Sequence, residues 1–429
     1  MNNLFKLSKK ILVLSSWAPP MIGGPQNLYN IFSNIDPESY FILTSLINIK
    51  NSQKDSVSGT PLRGKYYFYD EDVSQEQNTE KPRDQAIRAR NNIDWRRSLI
   101  FIIINFPLIG KYLGDFLGVC LAVLHFTKKA LRIIKDERIN LLIGISDTGQ
   151  ALLSTFLAHQ ISKKPYALYF FDIYKENLLQ WPFKLIAKIL EKTLIKNATM
   201  IILTNEGTEK YYKKLYGSNI KTVVVHNSVF AKAYENTQTL YQPRPPYQIV
   251  FTGNLYWPQE ESVRNLIKAV SEINDIDVRL LLYVPKPPQD LVGVHKNHPK
   301  IKFDVAPQSE MPTIQSKADI LFLPFAWHTP SPQIISTASP GKLTDYLAAG
   351  RPILIHAPPY AYVSQYARQH NFAHVVDEEN IELLKDGIKK LLTDITYSRQ
   401  LIANARKIFL VNHDAQPNAE KLTNIINAL

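Results

Sequence analysis

Hydrophobic residues along this chain fall into two alternating patterns. Continuous apolar runs at residues 10–16, 40–45, 140–146, 165–172, 198–205 and 221–225 are short and read as buried parallel strands. Between them, residues 26–32, 148–161, 183–197 and 206–216 repeat their apolar positions at helical spacing. The polar stretch 51–80 reads as a loop around a short strand at Tyr66, Tyr67, Phe68 and Tyr69. Residues 231–247, which carry Pro243, Pro245 and Pro246, break the pattern and read as a linker. The pattern then restarts, with strands predicted at 247–255, 278–284, 301–305 and 319–323, and helices at 260–273, 381–392, 397–409 and 418–429. Strand–helix alternation on both sides of a linker predicts an α/β protein. Its two Rossmann-like parallel-sheet domains would face a central cleft.

One stretch in the second half carries the densest chemistry. From Ser339 to Ile355 the chain reads as a helix that runs at once into a buried strand. Ser339 suits an N-cap and Pro340 the first turn, where its missing N–H leaves nothing unpaired. Leu343, Tyr346 and Leu347 share one face, and Gly350 closes the helix before Pro352 opens the strand. A helix start made of Pro340, Gly341 and Lys342 offers free N–H groups, the positive end of the dipole and an ammonium, the parts needed to hold a diphosphate. Asp345, further along, could accept hydrogen bonds from a ribose. Together they predict a nucleotide-diphosphate ligand.

The run Lys342-Leu343-Thr344-Asp345-Tyr346-Leu347-Ala348-Ala349-Gly350-Arg351-Pro352-Ile353-Leu354 resembles the donor-binding helix of family-4-type retaining glycosyltransferases, which have the GT-B fold. In that family an acid five residues before the glycine holds the ribose of a nucleotide sugar, and Asp345 stands there. The block 318–324 resembles the family's strand before the donor loop. The turn His226-Asn227-Ser228-Val229 resembles its exit from the first domain, where Asn-Gly-Val is common. His226 and Asn227 are read as turn residues.

The resemblance fails at three places. Typical members place an Arg and a Lys shortly after the first strand of the second domain. Here Asn254 takes the Arg position behind Gly253, and Trp257-Pro258-Gln259 supplies no Lys, so Lys342 is assigned the neutralisation of the diphosphate. The family also places a Glu eight residues before the ribose acid, and that position is Thr337, with a longer 326–338 loop that could shift the equivalent. In the first domain, Gly23-Gly24 after the first strand resembles the loop that lies against the donor phosphates and the acceptor, and is not a dinucleotide G-x-G-x-x-G. The strand ending in Phe171-Asp172 has Phe171 where a His is frequent. Asp172 remains as a group that could act on the acceptor, or as a helix cap.

Composition changes this picture little, and charge changes it more. With 429 residues, 45% hydrophobic and 21% charged, the chain is ordinary for a globular protein of two or more domains. Its one cysteine, Cys120, rules out an internal disulfide and fits a reducing compartment. No His/Cys cluster suggests a metal. The net charge of +12 asks for an anionic partner, and no Lys/Arg block interleaved with aromatics points to nucleic acid. Residues 81–97 are basic, 99–109 and 116–126 are apolar, and Lys128, Lys129, Arg132 and Lys135 follow. Pro107, Gly110, Lys111, Gly114 and Asp115 interrupt the apolar run, so 81–135 reads as a surface that could dip into an anionic leaflet, not as a membrane span. A core or dimer contact is the alternative. The start of the chain lacks a secretory pattern, which predicts a cytoplasmic protein, peripheral on the inner membrane face.

The expected domains are 1–230 on the acceptor side, a linker at 231–247, 248–410 on the donor side, and a helix within 411–429 that crosses back. The resemblance implies a retaining, metal-independent glycosyltransferase that needs no cofactor. It would move a sugar from a nucleotide-diphosphate donor to a lipid-linked or polysaccharide acceptor. Asp172 and Lys342 are its catalytic candidates. Gly24, Gly253, Asn254, Ser339, Pro340, Gly341, Lys342, Leu343 and Asp345 are its donor contacts. The competing readings are a nucleotide-sugar-binding module without transfer activity in an assembly complex, and a sugar-nucleotide epimerase or hydrolase.

Overall fold

A computed structural model of the chain describes all residues except 1–3, 22, 55–58, 72–108, 178, 180, 236, 238–239 and 296–297. The chain forms two compact units. One comprises Met1–Leu203, Tyr212–Val223 and Thr423–Leu429, and the other Thr204–Tyr211 and Val224–Leu422.

The first sheet has seven strands: β1 (Ile11–Leu14), β2 (Tyr40–Thr44), β3 (Lys65–Phe68), β4 (Leu141–Ile145), β5 (Tyr166–Phe170), β6 (Met200–Leu203) and β7 (Thr222–Val224). Their order is β3-β2-β1-β4-β5-β6-β7. Pairing is parallel, with Ile11 opposite both Tyr40 and Leu141. Every residue of β1, β2, β4 and β5 is buried, which is why these strands appear in the sequence as unbroken apolar runs.

The second sheet has six strands: β8 (Tyr247–Thr252), β9 (Val278–Tyr283), β10 (Ile301–Asp304), β11 (Ile320–Pro324), β12 (Ile353–His356) and β13 (His374–Val376). Their order is β10-β9-β8-β11-β12-β13, again parallel. The order reverses between β8 and β11, the kind of switch point at which open α/β sheets bind ligands beyond the strands' carboxyl ends. Ile249, Phe251, Leu280 and Leu282 pack on one side with the Trp257–Glu272 and Ile381–Thr393 helices. Val250, Leu321, Leu323 and Ile355 pack on the other with Leu343, Tyr346 and Leu347 of the Gly341–Ala348 helix. Each of those three helix side chains is essentially inaccessible, and burial of this kind is worth about 1.5–3 kcal/mol per large apolar side chain.

Two expectations change. A helix, Leu46–Lys54, runs into the start of the loop expected over 51–80, its sequence too polar to show a helical stripe. A 28-residue helix, Ile109–Asp136, runs through the two glycines taken as breaks. Gly costs only about 1 kcal/mol in a helix, and packing of Val119, Val123, Phe126 and Ala130 outweighs that. The basic stretch 81–97 and residues 99–108 lie outside the described residues. Among the described residues, no helix is long and apolar enough to cross a membrane.

Candidate functional site

Gly253 and Lys342 meet at the carboxyl end of β8. Gly253 has φ +103°, a conformation that L side chains rarely adopt, and a Cβ added there would lie 3.6 Å from Lys342 Cε and 3.8 Å from Nζ. The Lys342 ammonium sits 4.0 Å above the centroid of the Phe251 ring and 3.4 Å from Gln259 Oε1. Burial pushes this lysine down to about 7. Its helix begins at Gly341, with Pro340 at the N-cap and no side-chain cap. Ser339 is thus one position further out than the sequence suggested, and its buried hydroxyl has no partner among the described residues. Gly341 is exposed, and nothing lies within 4 Å of where its Cβ would be. An uncapped helix start, a lysine short of anionic partners and open space beside Gly341 are features suited to receive a phosphate-type anion.

Asp345 lies on the same helix as part of a buried polar relay. Tyr234 Oη is 3.1 Å from Asp345 Oδ1 and 2.7 Å from Gln315 Oε1. Gln315 Nε2 donates to Thr252 Oγ1 at 3.1 Å, and the Thr252 N–H donates to Tyr346 Oη at 3.0 Å. Burial pushes the Asp345 carboxyl up to about 6, with the Tyr234 hydroxyl pulling the other way. A half-buried carboxylate held in this state gains when further hydroxyl donors arrive, as a ribose would provide.

The helix start is braced from behind. Asn227 Nδ2 donates to the Ser339 carbonyl at 2.7 Å, and the Asn227 carbonyl accepts from Thr344 Oγ1 at 3.2 Å. That carbonyl also lies 2.9 Å from His413 Nδ1, while Tyr366 Oη lies 3.1 Å from His413 Nε2. Burial pushes His413 down to about 3, so the ring is neutral, donating from Nδ1 and accepting at Nε2. One turn upstream, Asn205 Nδ2 and Thr208 Oγ1 donate to the Thr337 carbonyl at 2.9 and 3.2 Å. Glu206 pairs with His226 at 3.0 Å and accepts from Tyr362 Oη at 2.8 Å. Burial alone would raise that carboxyl, but these two partners hold it at about 2. Asn227, read from sequence as a turn residue, is a brace of the helix start. Tyr234 comes from the stretch expected to be linker.

The first unit holds the other candidates. Gly24 opens the Gly24–Phe32 helix, and a Cβ there would meet the Phe171 ring at 3.0 Å. Phe171 therefore closes over the Gly-Gly turn where the sequence pattern expected a His. Asp172 follows β5 and is exposed to solvent. Nearby in the fold, Asp147 after β4 accepts from the N–H groups of Ser16 and Gly149 at 2.6 and 2.9 Å. Asp172 and Lys342, the two catalytic candidates, belong to different units.

Metal-ligating atoms gather once among the described residues, at Glu261, His328 and Glu379. Glu261 is already taken up, however. It accepts from the N–H groups of Trp327 and His328 at 2.7 and 3.1 Å and pairs with His328 Nδ1.

No family model matches the chain, and no curated protein sequence matches it. Solved structures do. HepE of Anabaena in complex with UDP-glucose superposes with a TM-score of 0.63 at 14% identity, over 98% of this chain and 100% of that one. Sucrose-phosphate synthase of Thermosynechococcus elongatus gives 0.64 at 13%, over 98% of each chain. A glycosyltransferase of Rickettsia africae gives 0.63 at 13%, over 99% of this chain and 98% of that one. The fold is GT-B.

Within this GT-B fold the departures from the family pattern acquire places. Gln259, where the sequence lacked a Lys, touches the ammonium that Lys342 delivers from another element. Thr337 is 5% exposed, and its hydroxyl donates back to the Gln333 carbonyl at 2.7 Å. No Asp or Glu occurs anywhere in 326–338, so a shifted alignment restores no acid to this GT-B loop. Ser339, Pro340, Gly341, Lys342 and Gly253 converge, with Asp345 further along the same helix. Leu343 faces the core and anchors the helix. Asn254 follows Gly253 beyond the end of β8 and is exposed.

Proposed function

We propose that the protein is a glycosyltransferase that takes a nucleotide-diphosphate sugar as donor and delivers the sugar to a lipid-linked or polysaccharide acceptor. The observation that carries this reading is the meeting of Lys342 with Gly253 at the switch point of the second sheet, with Asp345 following on the same helix. As the glycosidic bond breaks, negative charge grows on the leaving diphosphate. The helix N–H groups and the Lys342 ammonium meet that charge without requiring a metal. Asp345 holds the ribose. The UDP, UDP-glucose and UDP-plus-glucose complexes of HepE make UDP-sugars the first donors to try. Retention of configuration rests on the resemblance of the donor helix, and Asp172 is proposed to act on the acceptor.

A second reading, donor binding without transfer, is favoured by one observation: the absence of any acid in 326–338. Calorimetric titration of UDP, GDP, CDP, ADP and dTDP into wild type and Asp345→Ala tests the shared premise. Loss of charged hydrogen bonds of about 1.5–3 kcal/mol each weakens the correct nucleotide roughly ten- to a hundred-fold. Silence across the panel removes both readings. Binding without release of sugar to any acceptor or to water selects the second.

A further inference from the structure

The Phe183–Asn197 helix of the first unit presents a face of unusual composition. Lys184, Lys188, Lys192 and Lys196 recur every four residues and form one exposed ridge. Beside it runs a second ridge in which Leu185 is 39% and Ile189 64% exposed, and Trp181 just before the helix is 43% exposed. The helix has a single acid, Glu191, and that acid is turned inward. It is 1% exposed, accepts from the Lys175 N–H at 2.6 Å and pairs with the Tyr216 hydroxyl. None of the four lysines pairs with an acid among the described residues. The outward face is therefore wholly positive and partly apolar.

We propose that this face docks the protein onto an anionic lipid surface, with the lysines at the headgroups and Leu185 and Ile189 dipping below them. Three features select this occupant. The charge is of one sign and uncompensated, which a second copy of the same face would repel. Large aliphatic residues flank the lysine ridge on the same outward face, where a nucleic-acid backbone has no use for them. Lysine is the only cation on the face, and its long stem lets the ammonium reach headgroups while the methylenes cover apolar surface. The proposal stands independently of the donor site, since it uses other residues in the other unit.

The test is co-sedimentation of the full chain with phosphatidylcholine vesicles, with and without phosphatidylglycerol, at low and high salt. The expected result is binding only to the anionic vesicles, screened by salt. Each lysine near such a surface is worth about five-fold in affinity, so K188Q with K192Q weakens binding about thirty-fold. A charge-matched control, K268Q with K407Q in the other unit, leaves it within about two-fold if the face and not the net charge is responsible. Ile189→Ser weakens binding several-fold at unchanged charge. All these positions are exposed, so thermal melting of each variant should match wild type. Four results overturn the proposal: equal binding to neutral vesicles, equal weakening by the control pair, retention of duplex DNA without vesicles, or a dimer that Ile189→Ser dissociates.

Discussion

On the proposed function, Lys342 makes the donor site a pH-dependent one in a way that calorimetry can read. In the free protein its ammonium is held at about 7 by burial, so it is half lost near neutrality. A bound diphosphate restores the charge, because an anion beside an ammonium raises its pKa. Binding above pH 7 must then take up a proton, about 0.9 per ligand at pH 8. Affinity for UDP-glucose, whose two phosphates do not titrate in this range, falls roughly ten-fold per pH unit between 7 and 9. On the acid side the group is Asp345, pushed up to about 6, whose carboxylate must be ionised to accept ribose hydroxyls. Its contribution is lost as pH falls through that value. The two limbs place the optimum for binding between about 6 and 7. The assay is titration calorimetry from pH 5 to 9 in pairs of buffers with contrasting ionisation enthalpy. Lys342→Gln should remove the alkaline limb and the proton uptake, and bind at least ten-fold more weakly at pH 6.5. Wild-type binding at pH 8 with no proton exchange, or an unchanged alkaline limb in Lys342→Gln, would refute the reasoning.

Further outcomes follow from the same geometry. Asp345→Asn should bind donor poorly yet be more stable, by about 1–2 kcal/mol at pH 8, because the ionised carboxylate is penalised in the fold. The gain should vanish near pH 3, where the acid is largely neutral in folded and unfolded chains alike, and urea unfolding at the two pH values checks both signs. Gly253→Ala forces a side chain into φ +103° beside Lys342, costing about 1–2 kcal/mol and weakening donor binding together, measured by thermal melting and calorimetry. Asn227→Ala leaves the buried Ser339 carbonyl without its donor, which costs about 1–3 kcal/mol of stability in denaturant unfolding. In the first unit, Gly149→Ala meets both φ +104° and the Tyr174 hydroxyl, 2.0 Å from the new Cβ. It should lower the melting temperature while leaving nucleotide affinity nearly intact in any fraction that folds.

Much of the fold was legible because parallel strands covered on both faces have no polar positions. The runs at β1, β4, β5, β8 and β12 announce themselves for that reason. Where burial is partial the signal fades. β13 has three residues, two of them half-buried, and the helices Leu46–Lys54 and Met311–Lys317 have too few apolar positions to show a stripe. The site divides along the same physical line. Lys342 and Asp345 could be named because they share one helix start, where local sequence determines geometry. Gln259, Asn227, Tyr234 and Gln315 could not, since each reaches the site from an element far along the chain. The displaced N-cap has a local cause: Pro340 is extended, at φ −68° and ψ 145°, so the first helical residue is Gly341.

The interleaving of the two units has a consequence for how the protein can be made. Ser8 is hydrogen-bonded to Asn427, 419 residues away, and Asn427 also donates to the Lys6 carbonyl. The second unit in turn borrows Thr204–Tyr211 from within the first half of the sequence, including the Asn205 and Thr208 groups that hold Thr337. Neither half is therefore a self-sufficient gene segment. Domain-by-domain maturation during translation leaves the first unit's amino-terminal edge unfastened until the far end of the chain emerges. A split at the proline-rich stretch near residue 240 would strip the second unit of the groups that hold Thr337. Chimeras that exchange the second unit between such proteins should therefore carry four crossover points, not one.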